Sequence, residues 1–179
     1  MNTLLLLILL IPQSITVRVT ADPVCKTGQS YHNEVVEFRE YIKDVLPNEW
    51  LPTWNEEALK AGAVAAKQFA MYEYNINGYI WSCNWDQVYR PGRRSDATDK
   101  AVEDTWNTFI VNDGLIKTIY DDYPAACATR DIDCMSQWES MRLAEEGWTF
   151  EEILLESYTG ELVTLPFSRL DWVLSFLLY

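Results

Sequence analysis

Between residues 33 and 45 the apolar side chains Val35, Val36, Phe38, Tyr41, Ile42 and Val45 recur at helical spacing. This predicts a helix over 33–45 that Pro47 stops. Thr53-Trp54-Asn55-Glu56 reads as a capping box that opens a second helix, running to about Tyr72 and ending before Asn77-Gly78. Ala58, Gly62, Ala65, Ala66 and Phe69 share one of its faces. Small side chains there allow close backbone approach, so this Ala-rich helix is expected at the centre of the fold. The stretch "GYIWSCNWDQVYRPG" is rich in strand-favouring Tyr, Ile, Trp and Val and closes on a Pro91-Gly92 turn.

Further along, Thr98 can cap a helix over 99–106. "TFIV", the turn "NDG" and "LIKTIY" read as a β-hairpin, Asn and Gly supplying the positive φ angles of the turn. Residues 121–133 read as an irregular, cysteine-braced loop. Ser136-Gln137-Trp138-Glu139 and Thr149-Phe150-Glu151-Glu152 are two more capping boxes, starting helices that stop at Gly147 and near Gly160. This order does not alternate as βαβ units. It predicts an α+β fold: a single compact domain with a central Ala-rich helix, a small antiparallel sheet with a hairpin, and two C-terminal helices.

The two ends of the chain differ from its middle. Leu4 to Ile11 is an unbroken apolar run, too short to span a bilayer and suited to a secretory leader, with removal expected near Thr20–Ala21. No Lys or Arg precedes the run, and a buried N-terminal strand or helix is the competing reading. The expected division is therefore a leader over 1–21, a domain over 22–165 and an apolar tail over 166–179. Arg169 and Asp171 exclude a bilayer span for that tail; a closing strand, a docking helix and the start of a longer segment all stay open.

Composition narrows the function classes. A formal charge of −13 argues against nucleic acid or an anionic membrane surface as the main partner. Eight Trp and ten Tyr suit flat, amphipathic ligands such as sugars, and equally suit a core. Cys25, Cys83, Cys127 and Cys134 form an even set, which in an exported chain favours disulfides. Of three connectivities, Cys127–Cys134 with Cys25–Cys83 is preferred, because the first closes a short local loop and the second ties down the N-terminus. There is no Cys-x-x-Cys pair, and the single histidine, His32, has no neighbour at ligand spacing, so no metal or other cofactor is expected.

One carboxylate stands out. Glu49 sits among Pro47, Trp50, Pro52 and Trp54, where little water is expected. The surrounding residues, "VLPNEW" and then "EALKAGAVAA" over Glu57 to Ala66, resemble the stage II sporulation protein D and amidase-enhancer family, with Gly62 in place of that family's usual Gln. Three more pieces follow in family order: "DQVYRPG", "ATDKAVEDTWNTFIVNDGLIKTIY" and "CMSQWESMRLAEEGWTFEEILLESYTG". Together they cover about Tyr41 to Gly160.

The resemblance implies action on peptidoglycan, as a secreted or cell-wall-associated lytic transglycosylase whose catalytic Glu falls on Glu49. A carboxyl group in that role must be protonated to act as acid and ionised to act as base, and desolvation by Trp50, Trp54 and the prolines would raise its pKa accordingly. Trp50, Gln87, Tyr89, Ser136 and Gln137 fall at matching motif positions and are expected to line the glycan groove. The partners implied are peptidoglycan glycan strands, with no nucleic acid and no stable membrane span after leader removal. Asp131 stands where the family often has His, and no zinc is carried over. These departures support the alternative of a non-catalytic peptidoglycan-binding module that enhances a partner amidase.

Overall fold

Strand alternation organises the first residues of the fold. In the computed structural model, which describes residues 11–112, 118–130 and 133–165, strand β1 (Ser14–Val19) lies between β2 (His32–Glu37), antiparallel to it, and β3 (Ile80–Trp81), parallel to it. Ile15 and Val17 are fully buried, while Ser14, Thr16 and Arg18 face the other way. A cut near Thr20–Ala21 would excise this middle strand. Thr20 is itself buried, its amide donating to Ser82 Oγ at 2.8 Å.

The helix predicted over 33–45 is corrected at both ends. Its first residues extend along β1, Val36 opposite Ile15, and Val35 is 71% exposed. Pairing with a buried strand outweighs the local helical spacing there. Helix α1 (Phe38–Glu49) then runs through Pro47. That proline sits in the last turn, where it removes one i→i−4 bond close to the end of the helix. Asn48 Nδ2 donates to Asp44 O at 2.7 Å and the Trp50 amide to Leu46 O at 2.8 Å, so the turn still closes. Glu49 becomes the final residue of the helix.

Helix α2 (Glu56–Asn77) is the centre of the molecule, with α1 and three later helices packed around it. Its N-cap is Asn55, whose side chain accepts from the Glu57 amide at 2.9 Å; the box predicted from Thr53 does not form. Glu56 instead pairs with Lys60 at 3.0 Å and Lys100 at 2.7 Å. Gly78 ends the helix at φ 74°, a left-handed conformation glycine adopts without steric cost. Ala58, Gly62, Ala65 and Ala66 are buried as predicted. Helix α3 (Asp96–Thr105) starts three residues earlier than predicted because Ser95 forms the box with Thr98. Its end is closed by Lys67 of α2, only 1% exposed, whose amine donates to the carbonyls of Thr105, Trp106 and Thr108 at 2.7–2.9 Å.

Strand β4 (Thr108–Val111) matches the predicted "TFIV" run. Residues 113–117 of the expected hairpin, and the apolar tail 166–179, lie outside the described residues. Strand β5 (Tyr120–Asp121), short helix α4 (Pro124–Ala128) and strand β6 (Met135–Ser136) occupy the predicted irregular loop and its exit, β5 and β6 pairing in parallel. Helices α5 (Gln137–Glu145) and α6 (Phe150–Ser157) start at Ser136 and Thr149 as predicted. A strand the sequence pattern did not suggest, β7 (Glu161–Thr164), pairs antiparallel with β4. Among the described residues the class is α+β, with three small sheets around a helical core.

Two disulfides brace this frame: Cys25–Cys83, with Cα atoms 5.6 Å apart, and Cys127–Cys134, at 5.3 Å. The first joins the segment after β1 to the segment after β3. The second closes the loop between β5 and β6.

Candidate active site

The C-terminal turn of α1 points the Glu49 side chain at the loop that follows β3. Oε1 accepts from the Val88 amide at 2.6 Å, and Oε2 accepts from Gln137 Nε2 at 3.1 Å. Gln137 is the first residue of α5, nearly buried and fixed there by the Ser136 N-cap. Three distant segments therefore meet at one carboxyl group.

Glu49 opens on a cavity of about 770 Å³. Phe69 and Glu73 of α2 form one wall, Asn84, Trp85, Asp86 and Val88 a second, and Ile119, Tyr120, Asp121, Asp122 and Arg130 a third. Such a volume is in the range of small-molecule and oligosaccharide sites. The lining is strongly acidic; its one cation, Arg130, pairs with Asp121 at 2.6 Å.

Burial pushes the Glu49 carboxyl up from its ordinary 4.5 to about 7. The residue as a whole is half-buried, yet its charged end is enclosed by protein, and the missing water penalises ionisation most. The bonds from Val88 and Gln137 favour the ionised form and oppose this shift; the nearby charge of Asp122 adds to it. The negative end of the α1 dipole acts in the same direction as Asp122. Burial likewise raises the pKa of Asp86, against the bond its Oδ2 accepts from the Trp81 amide at 2.7 Å.

Of the residues expected to line a groove, Gln137 alone reaches the cavity with Glu49. Trp50 is fully buried, its Nε1 donating to Ser140 Oγ at 3.1 Å and its ring 4.8 Å from that of Tyr120. Gln87 is fully buried too. It donates to Ala66 O at 3.0 Å and to the Tyr120 hydroxyl at 2.9 Å, and accepts from the Tyr41 hydroxyl at 3.0 Å. Tyr89 stacks on Tyr41, ring centres 5.3 Å apart. Ser136 is used up as the cap of α5, its Oγ also donating to Asp122 O at 3.2 Å.

The physical reason in the "DQVY" motif is parity. Gln87 and Tyr89 turn to the core, which leaves Asp86 and Val88 on the cavity side. The apolar part of the cavity lining is Phe69, Val88, Ile119 and Tyr120, with Trp85; Trp50, Trp54 and the prolines, expected to enclose Glu49, are not among the lining residues. Trp54 packs instead against Trp138, ring centres 5.0 Å apart. Sequence reading missed Glu73, Asp86, Asp122 and Arg130 as lining residues. No local signal marks them, since each becomes a neighbour of Glu49 only through the tertiary fold.

Among the described residues, no three His, Cys, Asp or Glu side chains gather in a metal-binding arrangement, and no helix is long and apolar enough to cross a membrane. The site belongs to an α+β domain and sets the burial-raised Glu49 carboxyl on the wall of an acidic cavity. Residues 26–111 match the Stage II sporulation protein (SpoIID) family. The family is linked to sporulation and to the degradation of cell-wall peptidoglycan. The chain is also similar to an uncharacterized protein of Brachyspira hyodysenteriae, 34% identical over 98 residues. That match covers 51% of this chain and 26% of the relative, so the chain spans about a quarter of the relative's length. Two disulfides fit an oxidising, extracytoplasmic compartment.

Proposed function

We propose that this chain is a peptidoglycan lytic transglycosylase that cleaves glycan strands without water, with Glu49 as general acid and then general base. The observation that carries the reading is the Glu49 carboxyl itself. It faces a sugar-sized cavity and is pushed up to about 7, in a chain whose residues 26–111 match a family linked to wall degradation.

The chemistry uses both states of that one group. Protonated Glu49 gives its proton to the glycosidic oxygen as the bond from that oxygen to the muramoyl C1 breaks. Ionised Glu49 then takes the proton from the muramoyl C6 hydroxyl, whose oxygen bonds to C1 and closes a 1,6-anhydro ring. The acid is restored and no water is consumed. A pKa near neutrality suits a group that must donate and accept in one cycle. The Val88 amide and the Gln137 side chain are placed to steady the carboxylate in the interval between the two steps. In this reading Gln137 serves the acid, and the sugars meet Trp85, Asn84 and Tyr120. We take the protein to act outside the cytoplasm. β1 belongs to the folded domain, so processing of the apolar leader would have to end before Ser14.

Incubating the chain and a Glu49→Gln variant with stem-peptide-free glycan strands tests this. Mass spectrometry should find anhydromuramoyl ends with the wild type and none with the variant. Binding without such ends in the wild type would support a non-catalytic module that assists an amidase.

A further inference from the structure

Two exposed aromatic rings without a role in the core sit one residue along the chain from lining residues of the Glu49 cavity. Tyr123 is 58% exposed and Trp138 is 43% exposed. Asp122 and Gln137, which line the cavity, are their immediate chain neighbours. The two rings lie within 6° of parallel, centres 6.3 Å apart, and Trp138 rests on Trp54 at 5.0 Å.

Their positions are fixed by backbone rather than by burial. The Trp138 amide donates to Asp122 O at 3.2 Å, which locks the start of α5 to the segment carrying Tyr123. Tyr123 is the N-cap of α4, and the Cys127–Cys134 bridge closes the same loop. Large rings held exposed keep apolar surface in water at a free-energy cost that a covering ligand relieves.

We propose that Tyr123 and Trp138 form an outer sugar-stacking subsite for the glycan strand whose reacting bond lies at Glu49. This rests on the reading of the cavity as a glycan site. The chemistry that fits the rings is a pyranose face. Its C–H groups carry partial positive charge and match the negative face of an aromatic ring, while its hydroxyl edge stays in water. A polymer that fills the cavity must leave it across some part of the rim. Beside Asp122 and Gln137 the near-parallel Tyr123 and Trp138 rings offer such a path an exposed aromatic face. Trp85, which lines the cavity and is 47% exposed, offers a third ring to the same strand.

The test uses the full chain carrying Glu49→Gln, so that strands stay intact, and calorimetric titration with two probes: long stem-peptide-free glycan strands and a single disaccharide unit. Trp138→Ala should weaken long-strand binding about tenfold, the scale of one aromatic contact, and Tyr123→Ala several-fold. Disaccharide affinity should not change with either. Trp138→Phe should keep most long-strand affinity, which separates loss of the ring from loss of the fold. Unchanged long-strand affinity in both alanine variants overturns the subsite and leaves the cavity reading intact. Equal losses for strand and disaccharide overturn it too, by showing that the rings only support the cavity. No strand binding by the parent protein overturns the glycan reading itself.

Discussion

The indole of Trp50 lies against the bare α carbon of Gly62: a β carbon there would sit 2.5 Å from Trp50 Cδ2 and 2.6 Å from Cε2. This contact joins the residue after α1 to the central helix, and so fixes where α1 ends and where Glu49 points. Gly62→Ala adds helix propensity of about 1 kcal/mol. The collision with a fully buried ring opposes it, and overpacking of this kind costs about 1–3 kcal/mol or more. The clash should win. We expect a lower denaturation midpoint by chemical melt, partly restored when Trp50 is also reduced to Phe.

Glu49 makes stability depend on pH in a defined direction. Below pH 4.5 the carboxyl is neutral both folded and unfolded, and it carries no penalty. Between 4.5 and about 7 the unfolded chain releases a proton that the folded chain keeps, so folding weakens as pH rises. Above 7 the loss is complete, at most about 3 kcal/mol. Glu49→Gln removes it, since a Gln oxygen still accepts from Val88 and Gln137 can turn its amide. The variant should be more stable than wild type at pH 8 and nearly equal at pH 4. A uniform offset at both pH values would contradict the burial argument.

Gln137 donates to the ionised form of Glu49, so removing the donor should raise the carboxyl pKa further. For Gln137→Met we expect the base-limited arm of the pH–rate profile to move up by about one unit. Substrate affinity should change little. A large rise in KM with an unmoved profile would assign Gln137 to sugar binding instead.

The disulfides should contribute unequally. Cys25 and Cys83 are 58 residues apart in sequence and Cys127 and Cys134 only 7. On loop entropy alone, about 4 and about 2 kcal/mol are expected from the two closures. Cys25→Ser with Cys83→Ser should therefore lower the melting temperature more. Cys127→Ser with Cys134→Ser should instead loosen the loop bearing Asp121, Asp122 and Arg130, and lower activity more than stability.

Much of the scaffold was legible because it is written locally. Ser136, Thr149 and Gly78 mark helix ends by their own chemistry, and the small face at Ala58, Gly62, Ala65 and Ala66 identified α2 as central. Where long-range pairing decides, the pattern misled. Val35 and Val36 fit a helix in isolation and a strand beside β1. Strand β7 is short and depends on β4 for its existence. At the site, Glu49 and Gln137 could be found from motif position, but Gln87 and Tyr89 lie one residue out of phase with the cavity. Phe69, Asp86 and Asp122 approach Glu49 from three separate segments, and nothing nearby in sequence encodes that meeting.

The most direct measurement is the titration of one carboxyl carbon. With glutamate labelled at Cδ, the resonance that disappears in Glu49→Gln can be followed by NMR from pH 3 to 9. A midpoint near 7 is expected for a carboxyl group buried as Glu49 is. A midpoint near 4.5 would mean a solvated carboxylate, unable to hold a proton for a leaving sugar, and would contradict the proposed chemistry.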